Sequence, residues 1–265
     1  MTLGGPFFRR IAVTGTLAIA AACARQAERV EPPPARPSLL LVTLDTTRAD
    51  ALAPEADAAA TPAFAALVAR GVRFTQAYAT APTTLPSHAS MLSGLHAGEH
   101  GVHENGRRLS DRVPLVAERL RELGYATAAF VSGFPLKSPF GLARGFDLYD
   151  DEFGSGKSER SSRETTDRAL AWLATAGTRP RFLWVHYYDP HEPYEPPEPF
   201  RSRFPADPYQ GEVAAMDHDL GRLLAAFETA PGGRGAGIVV AADHGEGRGE
   251  HGEMLHGNLL YQGVM

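Results

Sequence analysis

Three aspartates follow apolar runs that have the composition of buried strands. Asp45 ends the first run, Asp189 comes just after the third, and Asp243 ends the fourth and is followed by His244. In an open α/β sheet, ligands bind at the carboxyl ends of the strands, so we expect these acids to converge on one crevice. Any one of them is explained equally well as the cap of a turn or helix. Together, the carboxylates and the imidazole indicate a metal site that suits Zn²⁺, Mn²⁺ or Mg²⁺.

A hydroxyl group that could act on a substrate lies at the start of residues 83–94, TTLPSHASMLSG. Pro86 fits the first turn of a helix, and Gly94 fits its end. A hydroxyl just ahead of such a helix lies in the positive field of exposed N–H groups, which favours a bound phosphate or sulfate and a developing alkoxide. The alternative is a threonine or serine that caps the helix and has no chemical role.

The elements that must position these groups alternate along the chain from residue 38. Short, continuous apolar runs are typical of strands covered on both faces, as in a parallel sheet between helices. The alternation predicts an α/β fold of three layers, with a mostly parallel central sheet between helices. The predicted strands are 38–44, 125–132, 181–187 and 237–242, the helices 61–70, 114–123, 163–176 and 212–227, and the loops 154–162, 192–208 and 230–237.

The composition is that of a globular protein, with 43% hydrophobic and 22% charged residues among 265. A chain of this length can bury a substantial core in one domain. The formal net charge is -5 at pH 7. Because nucleic-acid-binding proteins need a clustered positive surface, we expect no nucleic-acid partner.

The first 22 residues have the pattern of an export signal. Arg9 and Arg10 precede an uncharged apolar run, residues 11–22, which is too short to span a bilayer and ends before the only cysteine, Cys23. This resembles a bacterial lipoprotein signal, which implies a lipid on Cys23 that anchors the protein to a membrane. An ordinary cleaved signal and a twin-arginine signal are the alternatives. Residues 23–37 are rich in proline and predict an extended tether, so the ordered domain should start near Ser38.

Several motifs occur in the order and spacing seen in sulfatase-like proteins of the alkaline phosphatase superfamily. The chain resembles that family from about Ser38 to its last residue. The motifs are residues 41–50 (LVTLDTTRAD), 61–62 (TP), 71–74 (GVRF), 85–94 (LPSHASMLSG), 186–194 (HYYDPHEPY), 243–246 (DHGE), 250–252 (EHG) and 256–257 (HG). Each motif alone is weak, but the whole series is specific. The resemblance implies an alkaline-phosphatase-like fold and a metal-dependent hydrolase of sulfate or phosphate esters.

The resemblance also implies roles for individual residues. Asp45, Asp243 and His244 would hold a divalent cation, which in this family is Zn, Mn, Mg or Ca, and Thr84 would be both a ligand and the nucleophile. His191 would contact the sulfuryl or phosphoryl oxygens, and His256 stands where many members have a lysine that faces the leaving group. Asp189 has a weaker claim, either as a residue that hydrogen-bonds a metal ligand or as a ligand of a second metal. Six other histidines are expected to be structural or to lie on the surface: His88, His96, His100, His103, His186 and His218.

The departures from the family pattern favour phosphoryl transfer. Sulfatases carry a cysteine or serine that becomes formylglycine, whereas this chain has Thr84, which cannot be converted. A second aspartate usually follows the first, and Thr46 stands there, so a calcium site would lose a ligand. Phosphoglycerol and phosphoethanolamine transferases of the same superfamily share the Asp, Thr, Asp, His set. An envelope transferase of this type is therefore one alternative, and a noncatalytic envelope-binding lipoprotein with the same fold is another.

The resemblances to a lipoprotein signal and to the sulfatase family also predict where the protein is located and how much of the catalytic domain this sequence contains. An exported lipoprotein belongs to the bacterial cell envelope, at the periplasmic or outer face. In the family, residues like 256–261 (HGNLLY) lead into another strand and a smaller C-terminal subdomain. We therefore expect residues 38–265 to be a catalytic domain that lacks its C-terminal part.

Overall fold

The computed structural model describes residues 36–265 with the exception of residue 176. The predicted signal peptide (1–22), Cys23 and most of the predicted tether (23–37) lie outside the described residues. At the end of the tether, the Tyr125 hydroxyl donates a hydrogen bond to the carbonyl of Pro37 at 3.0 Å. Within the described part of the chain, no helix combines the length and the apolar character that crossing a bilayer requires.

A five-stranded parallel sheet forms the centre of the fold. Its strands are β1 (Leu39–Leu44), β2 (Ala126–Phe130), β3 (Leu148–Asp150), β4 (Arg181–Tyr187) and β5 (Gly237–Ala242). They lie in the order β3-β2-β4-β1-β5, and every neighbouring pair is parallel. All five strands therefore end at the same edge, which places the residues that follow β1 and β5 side by side.

Helices cover both faces of this sheet. The α-helices are α1 (Pro62–Arg70), α2 (Thr84–Ser93), α3 (Ala97–His100), α4 (Val116–Glu122), α5 (Ser162–Thr175), α6 (Phe200–Arg203) and α7 (Pro208–Thr229). Short 3₁₀ turns occur at Ala49–Ala51, Phe134–Leu136, Ser138–Phe140 and Glu250–Gly252.

Two apolar clusters, one on each face of the sheet, explain why the fold has three layers. Leu40, Val42 and Leu44 alternate along β1 and pack in one cluster with residues of α5 and α7, including Leu220. On the other face, Trp184 of β4 packs in a second cluster with residues of α2 and α4. Since side chains alternate between the faces of a strand, a strand that is apolar throughout needs both layers of helices.

The predicted fold class is confirmed, with differences at the level of elements. All four predicted strands are present. β3 was not predicted, because it has only three residues and two of them, Tyr149 and Asp150, are partly exposed. The segment 192–208 was predicted as loop and contains the single turn of α6. Helix α2 begins at Thr84 rather than at Pro86, so Thr84 lies in the first turn and not ahead of it.

Candidate metal centre and active site

Asp45, Asp243 and His244 meet at the carboxyl edge of the sheet. β1 and β5 are neighbouring parallel strands whose last residues, Leu44 and Ala242, are paired. The residue that follows each strand is therefore held at the same level, and the amide of Asp243 donates to the carbonyl of Leu44 at 3.2 Å. The sheet thus joins side chains that lie about 200 positions apart in sequence.

The three side chains present one ligand atom each to a common point. His244 Nε2 lies 3.7 Å from Asp45 Oδ1 and 3.5 Å from Asp243 Oδ2. Ligand atoms of the three residues all lie within 4.8 Å of one another, and the side chains are fully buried. The same three atoms have no hydrogen-bond partner. Buried polar atoms without a partner are costly, so this arrangement fits a cation held between two carboxylates and an imidazole.

The electrostatics of these groups also fit a cation. Burial and the nearby charge of Asp45 raise the pKa of Asp243 well above its usual value. Burial acts on Asp45 in the same direction, but a hydrogen bond from His186 and the charge of His244 outweigh it and lower its pKa. Burial lowers the pKa of His244 to about 4, which leaves a neutral imidazole able to donate its lone pair.

Thr84 lies in the first turn of α2, which His88 connects to this group. Thr84 is 1% exposed, and its carbonyl oxygen lies 2.8 Å from Nδ1 of His88. The same Nδ1 is 3.4 Å from Asp243 Oδ2, so His88 connects the first turn of α2 to the metal-ligand candidate. The Oγ of Ser87 donates to the carbonyl of Asp243 at 2.6 Å. Thr83 stands at the N-cap position of α2, and its side chain makes no capping hydrogen bond. The helix-cap alternative is therefore not supported at Thr83.

His186, which was expected to be structural or to lie on the surface, contacts the metal-ligand group. Its Nε2 lies 3.0 Å from Asp45 Oδ2, and its Nδ1 lies 3.2 Å from the amide nitrogen of Ser132. The Ser132 amide can only donate, which assigns the proton of the ring to Nε2 and makes His186 a donor to Asp45. A histidine within an otherwise apolar strand needs a buried hydrogen-bond partner. This pattern was the sequence signal that could have identified His186 as a site residue.

Three histidines and a tyrosine form a continuous row beside the metal-ligand group. The ring of His244 lies 4.5 Å from that of His256, His256 lies 5.3 Å from His191, and His191 stacks on Tyr188 at 4.3 Å between ring centroids. The structure therefore brings the predicted His191 and His256 together at one wall of the site.

Glu246 is a site residue that the sequence analysis did not single out. It is fully buried, and its Oε1 lies 2.9 Å from Nδ1 of His256. Tyr194 donates its hydroxyl to the other oxygen at 3.3 Å. Burial opposes a charge on His256, but the hydrogen bond to Glu246 outweighs it and raises the pKa of His256. Glu246 thus orients His256 and favours its protonated form.

The backbone directly after Asp45 is held in an uncommon conformation. Thr46 has φ of 49°, which is rare for a threonine. The Tyr209 hydroxyl donates to its carbonyl at 2.9 Å, and its own Oγ1 donates to the carbonyl of Pro190. These contacts fix the chain where it leaves β1, a kind of local strain that is concentrated at functional sites.

Asp189 does not join the metal-ligand group. Its Oδ2 accepts a hydrogen bond from the amide of Ser162 at 2.6 Å, at the start of α5. Among the described residues, only Asp45, Asp243 and His244 form a group with the spacing of metal ligands. The expected convergence of three aspartates is therefore correct for two. Asp189 instead accepts a hydrogen bond at the start of α5, a helix that precedes it in the chain, whereas the alternative was a cap of a following turn or helix.

Known proteins resemble this chain both in sequence and in fold. The family model described as "Sulfatase" matches residues 37–262. The chain is 27% identical over 235 residues to an arylsulfatase of Klebsiella aerogenes, an alignment that covers 72% of this chain and 50% of that protein. It is 23% identical over 279 residues to a sulfatase of Formosa agariphila, with 72% and 55% covered.

Solved structures show the same fold. The phosphonate monoester hydrolase of Agrobacterium radiobacter superposes with a TM-score of 0.72 at 20% identity, over 86% of this chain and 66% of that one. The corresponding enzyme of Silicibacter pomeroyi gives 0.71 at 21% identity, over 86% and 66%. The chain spans about half the length of the two sequence relatives.

Proposed function

Since this chain belongs to the sulfatase family, we propose that it is a metal-dependent hydrolase of sulfate or phosphate esters in which Thr84 is the nucleophile. The arylsulfatase among its relatives and the phosphonate monoester hydrolases among its structural neighbours support this pair of substrate classes. The hydroxyl of Thr84, in place of a convertible cysteine or serine, favours the phosphate ester.

One observation carries the proposal. Asp45 Oδ1, Asp243 Oδ2 and His244 Nε2 are buried, face one another and have no hydrogen-bond partner. A carboxylate pair with one imidazole is a ligand set that Zn²⁺ and Mn²⁺ accept readily and that Mg²⁺ or Ca²⁺ accepts with further oxygen ligands. A divalent cation bound there would favour the deprotonated form of a nearby hydroxyl and neutralise the charge of the ester group.

The residues of the chain account for the other parts of the reaction. Thr84 Oγ1, as the alkoxide, attacks the phosphorus, a new O–P bond forms, and the ester bond on the opposite side breaks. The departing alcohol takes a proton from His256, whose protonated form Glu246 favours. Water then gives a proton to His256 and attacks the same phosphorus, and Thr84 leaves as the alkoxide, which restores the starting state of both residues. His191 stabilises the negative charge on the nonbridging oxygens.

The first experiment measures substrate class and metal dependence together. We expect the purified chain to hydrolyse 4-nitrophenyl phosphate, its phosphodiester or its phosphonate ester faster than 4-nitrophenyl sulfate. Dialysis against a chelator should abolish the hydrolysis, and one of Zn²⁺, Mn²⁺, Mg²⁺ and Ca²⁺ should restore it. Faster turnover of the sulfate ester would overturn the phosphate preference. A folded chain that binds no metal and turns over none of these esters would instead support a noncatalytic binding protein.

The second experiment tests the nucleophile. Thr84→Ala should lower turnover by several orders of magnitude and leave the metal content largely unchanged, because the carboxylates and His244 remain. Thr84→Ser keeps a hydroxyl and should retain part of the activity. Thr175→Ala, at the exposed end of α5, is the matched control. Undiminished turnover by Thr84→Ala, with the control unchanged, would contradict the role.

We further propose an exported, lipid-anchored location at the bacterial cell envelope, because the pattern before Cys23 is that of a lipoprotein signal. Expression of the full sequence with Cys23→Ala should shift the protein from the membrane fraction to the soluble fraction. Equal membrane association of both forms would argue against a lipid on Cys23.

A further inference from the structure

A large cavity lies apart from the metal-ligand group, on the face of the sheet covered by α5 and α7. It has a volume of about 820 Å³ and is lined by the starts of α1 and α5, by α7 and by the loop before α6. Small-molecule sites have volumes of roughly 300–1,000 Å³, so the cavity is large enough for an organic ligand. The hydrolysis proposed above uses none of its lining residues.

The lining of this cavity has an excess of acids. Six carboxylates line it against three arginines: Asp189, Glu195, Glu198, Glu212, Asp217 and Asp219 against Arg163, Arg203 and Arg222. Arg222 is already paired with Asp219 at 2.8 Å and with Asp167. Asp217 accepts bonds from two amides at the start of α1. The remaining charge is negative and favours a cationic ligand.

Glu212 provides an observation independent of the charge count. The residue is 6% exposed, and its Oε1 accepts a hydrogen bond from the amide of Glu195 at 2.7 Å. Its Oε2 is buried and has no hydrogen-bond partner. Burial without a donor to this oxygen makes the carboxyl costly to ionise and raises the pKa of Glu212 to about 8. A cationic donor from a ligand in the cavity would favour the ionised carboxylate and remove that cost.

The spacing of the acids favours an organic cation over a metal ion. Among the described residues, the only three side chains that bring ligand atoms within 4.8 Å of one another are those of the metal-ligand group. Among the described residues, no three acids of the cavity therefore lie close enough together to share one metal ion. An ammonium group needs only one or two acceptors and also donates hydrogen bonds.

The other walls of the cavity are suited to an alkyl chain. Phe200, Pro197 and Pro199 line the cavity, as does Ala63 at the start of α1. A ligand that contacts both surfaces would have a charged end and an apolar body. A quaternary ammonium group lacks the N–H that Glu212 Oε2 requires, so a primary ammonium matches the cavity better.

We propose that this cavity is a second ligand site, which binds a primary alkylammonium group through Glu212 with the alkyl chain against Phe200 and the neighbouring prolines. The site does not depend on the hydrolase activity proposed above. Its ligand is an amine-bearing metabolite or substituent of that chemical class.

Three probes of equal chain length test the proposal with the unmodified full chain. Titration calorimetry in amine-free buffer should show that hexylammonium binds at least about tenfold more tightly than hexyltrimethylammonium or hexanol. Only hexylammonium can form the charge-assisted hydrogen bond to Glu212. Equal binding of hexanol would show a merely apolar cavity. Equal binding of the quaternary ion would show an electrostatic site without the hydrogen bond to Glu212. Either result, or no binding of hexylammonium, overturns the proposal.

A variant assigns the binding to Glu212. Glu212→Gln keeps an oxygen that can accept the bond from the Glu195 amide, so the fold should be retained, which a thermal melt checks. Hexylammonium should bind about tenfold more weakly to this variant. Glu122→Gln, at an exposed acid of α4, is the matched control and should bind as the unmodified chain does. Unchanged affinity in Glu212→Gln would contradict the assignment.

Discussion

At the scale of single residues, the hydrogen bonds of His186 determine which oxygen of Asp45 is free. Ser132 donates to Nδ1 of the ring, so Nε2 carries the proton and donates to Asp45 Oδ2. Asp45 Oδ1 is then the oxygen that faces His244. A residue that only orients a metal ligand commonly contributes ten- to a hundredfold to affinity.

We therefore expect His186→Phe to weaken metal binding by about 10- to 100-fold. The aromatic ring fills a similar volume but leaves Asp45 Oδ2 without its donor. Competition with a chelating dye measures the affinity, and His218→Phe, at a histidine whose side chain is 63% exposed, is the control. An unchanged dissociation constant would show that His186 only fills space.

The residue scale is also where the sequence was least informative. Asp45, Asp243 and His244 could be named because each acid ends an apolar run. Glu246 and His186 could not be assigned as partners, because their contacts depend on the angle between a loop and a strand. Hydrogen-bond partners far apart in the chain become visible only when the sheet has set the distances.

At the scale of elements, Gly94 ends the helix that carries Thr84. It has φ of 73°, in the left-handed region, and its amide donates to the carbonyl of Ser90 at 2.8 Å. A Cβ at Gly94 would meet no atom within 4 Å, so an alanine would suffer only the conformational cost. Gly94→Ala should lower the free energy of unfolding by about 1 kcal/mol.

The control for this prediction is Gly98→Ala. Gly98 lies in α3, and a Cβ there also meets nothing within 4 Å, but its φ is not positive. Alanine should therefore be neutral or slightly stabilising at this position. Urea unfolding of both variants measures the difference, and equal losses would show that the left-handed conformation is not the cause.

Helix α7 contains a group that should make stability depend on pH. Burial raises the pKa of Glu212 from the ordinary glutamate value of 4.5 to about 8. A carboxyl whose pKa is raised on folding contributes its stability fully below pH 4.5, and this contribution is lost as the pH rises through 8. The unmodified chain should thus lose on the order of a few kcal/mol between pH 5 and pH 8 relative to Glu212→Gln.

Urea unfolding at pH 5, 6.5 and 8 in amine-free buffer measures this difference. Glu122→Gln should follow the unmodified chain at every pH, because Glu122 is exposed. Parallel stability profiles of Glu212→Gln and the unmodified chain would contradict the prediction.

At the scale of the whole molecule, the order of layers was predictable and the lengths of minor elements were not. Strands β1, β4 and β5 are mostly apolar, so their continuous apolar runs identified them and predicted a parallel sheet. β3 and α6 are short, and neighbouring contacts rather than their own residues stabilise them. The position of the metal-ligand group could be predicted from the sheet alone, because parallel strands end at one edge.

The central sheet concentrates like charges at that edge, which links metal binding to the stability of the entire fold. Asp45 and Asp243 are both fully buried, and burial together with the charge of Asp45 raises the pKa of Asp243. Without a cation, this pair costs stability, so Asp243→Asn should raise the melting temperature of the metal-free protein. With a cation at about 100 times its dissociation constant, the unmodified chain should gain about 2.7 kcal/mol, and the variant should gain much less.

Thermal unfolding with a chelator and with each of the four divalent cations measures both effects. Asp111→Asn, at an acid whose side chain is 62% exposed and paired with Arg108, controls for the loss of one charge. A protein selected for folding alone would not retain two buried acids that each leave one oxygen without a hydrogen-bond partner, whereas a protein that binds a cation must accept their cost in its metal-free form. A metal-dependent rise in melting temperature that persists in Asp243→Asn would place the cation elsewhere and remove the basis for the hydrolase proposal.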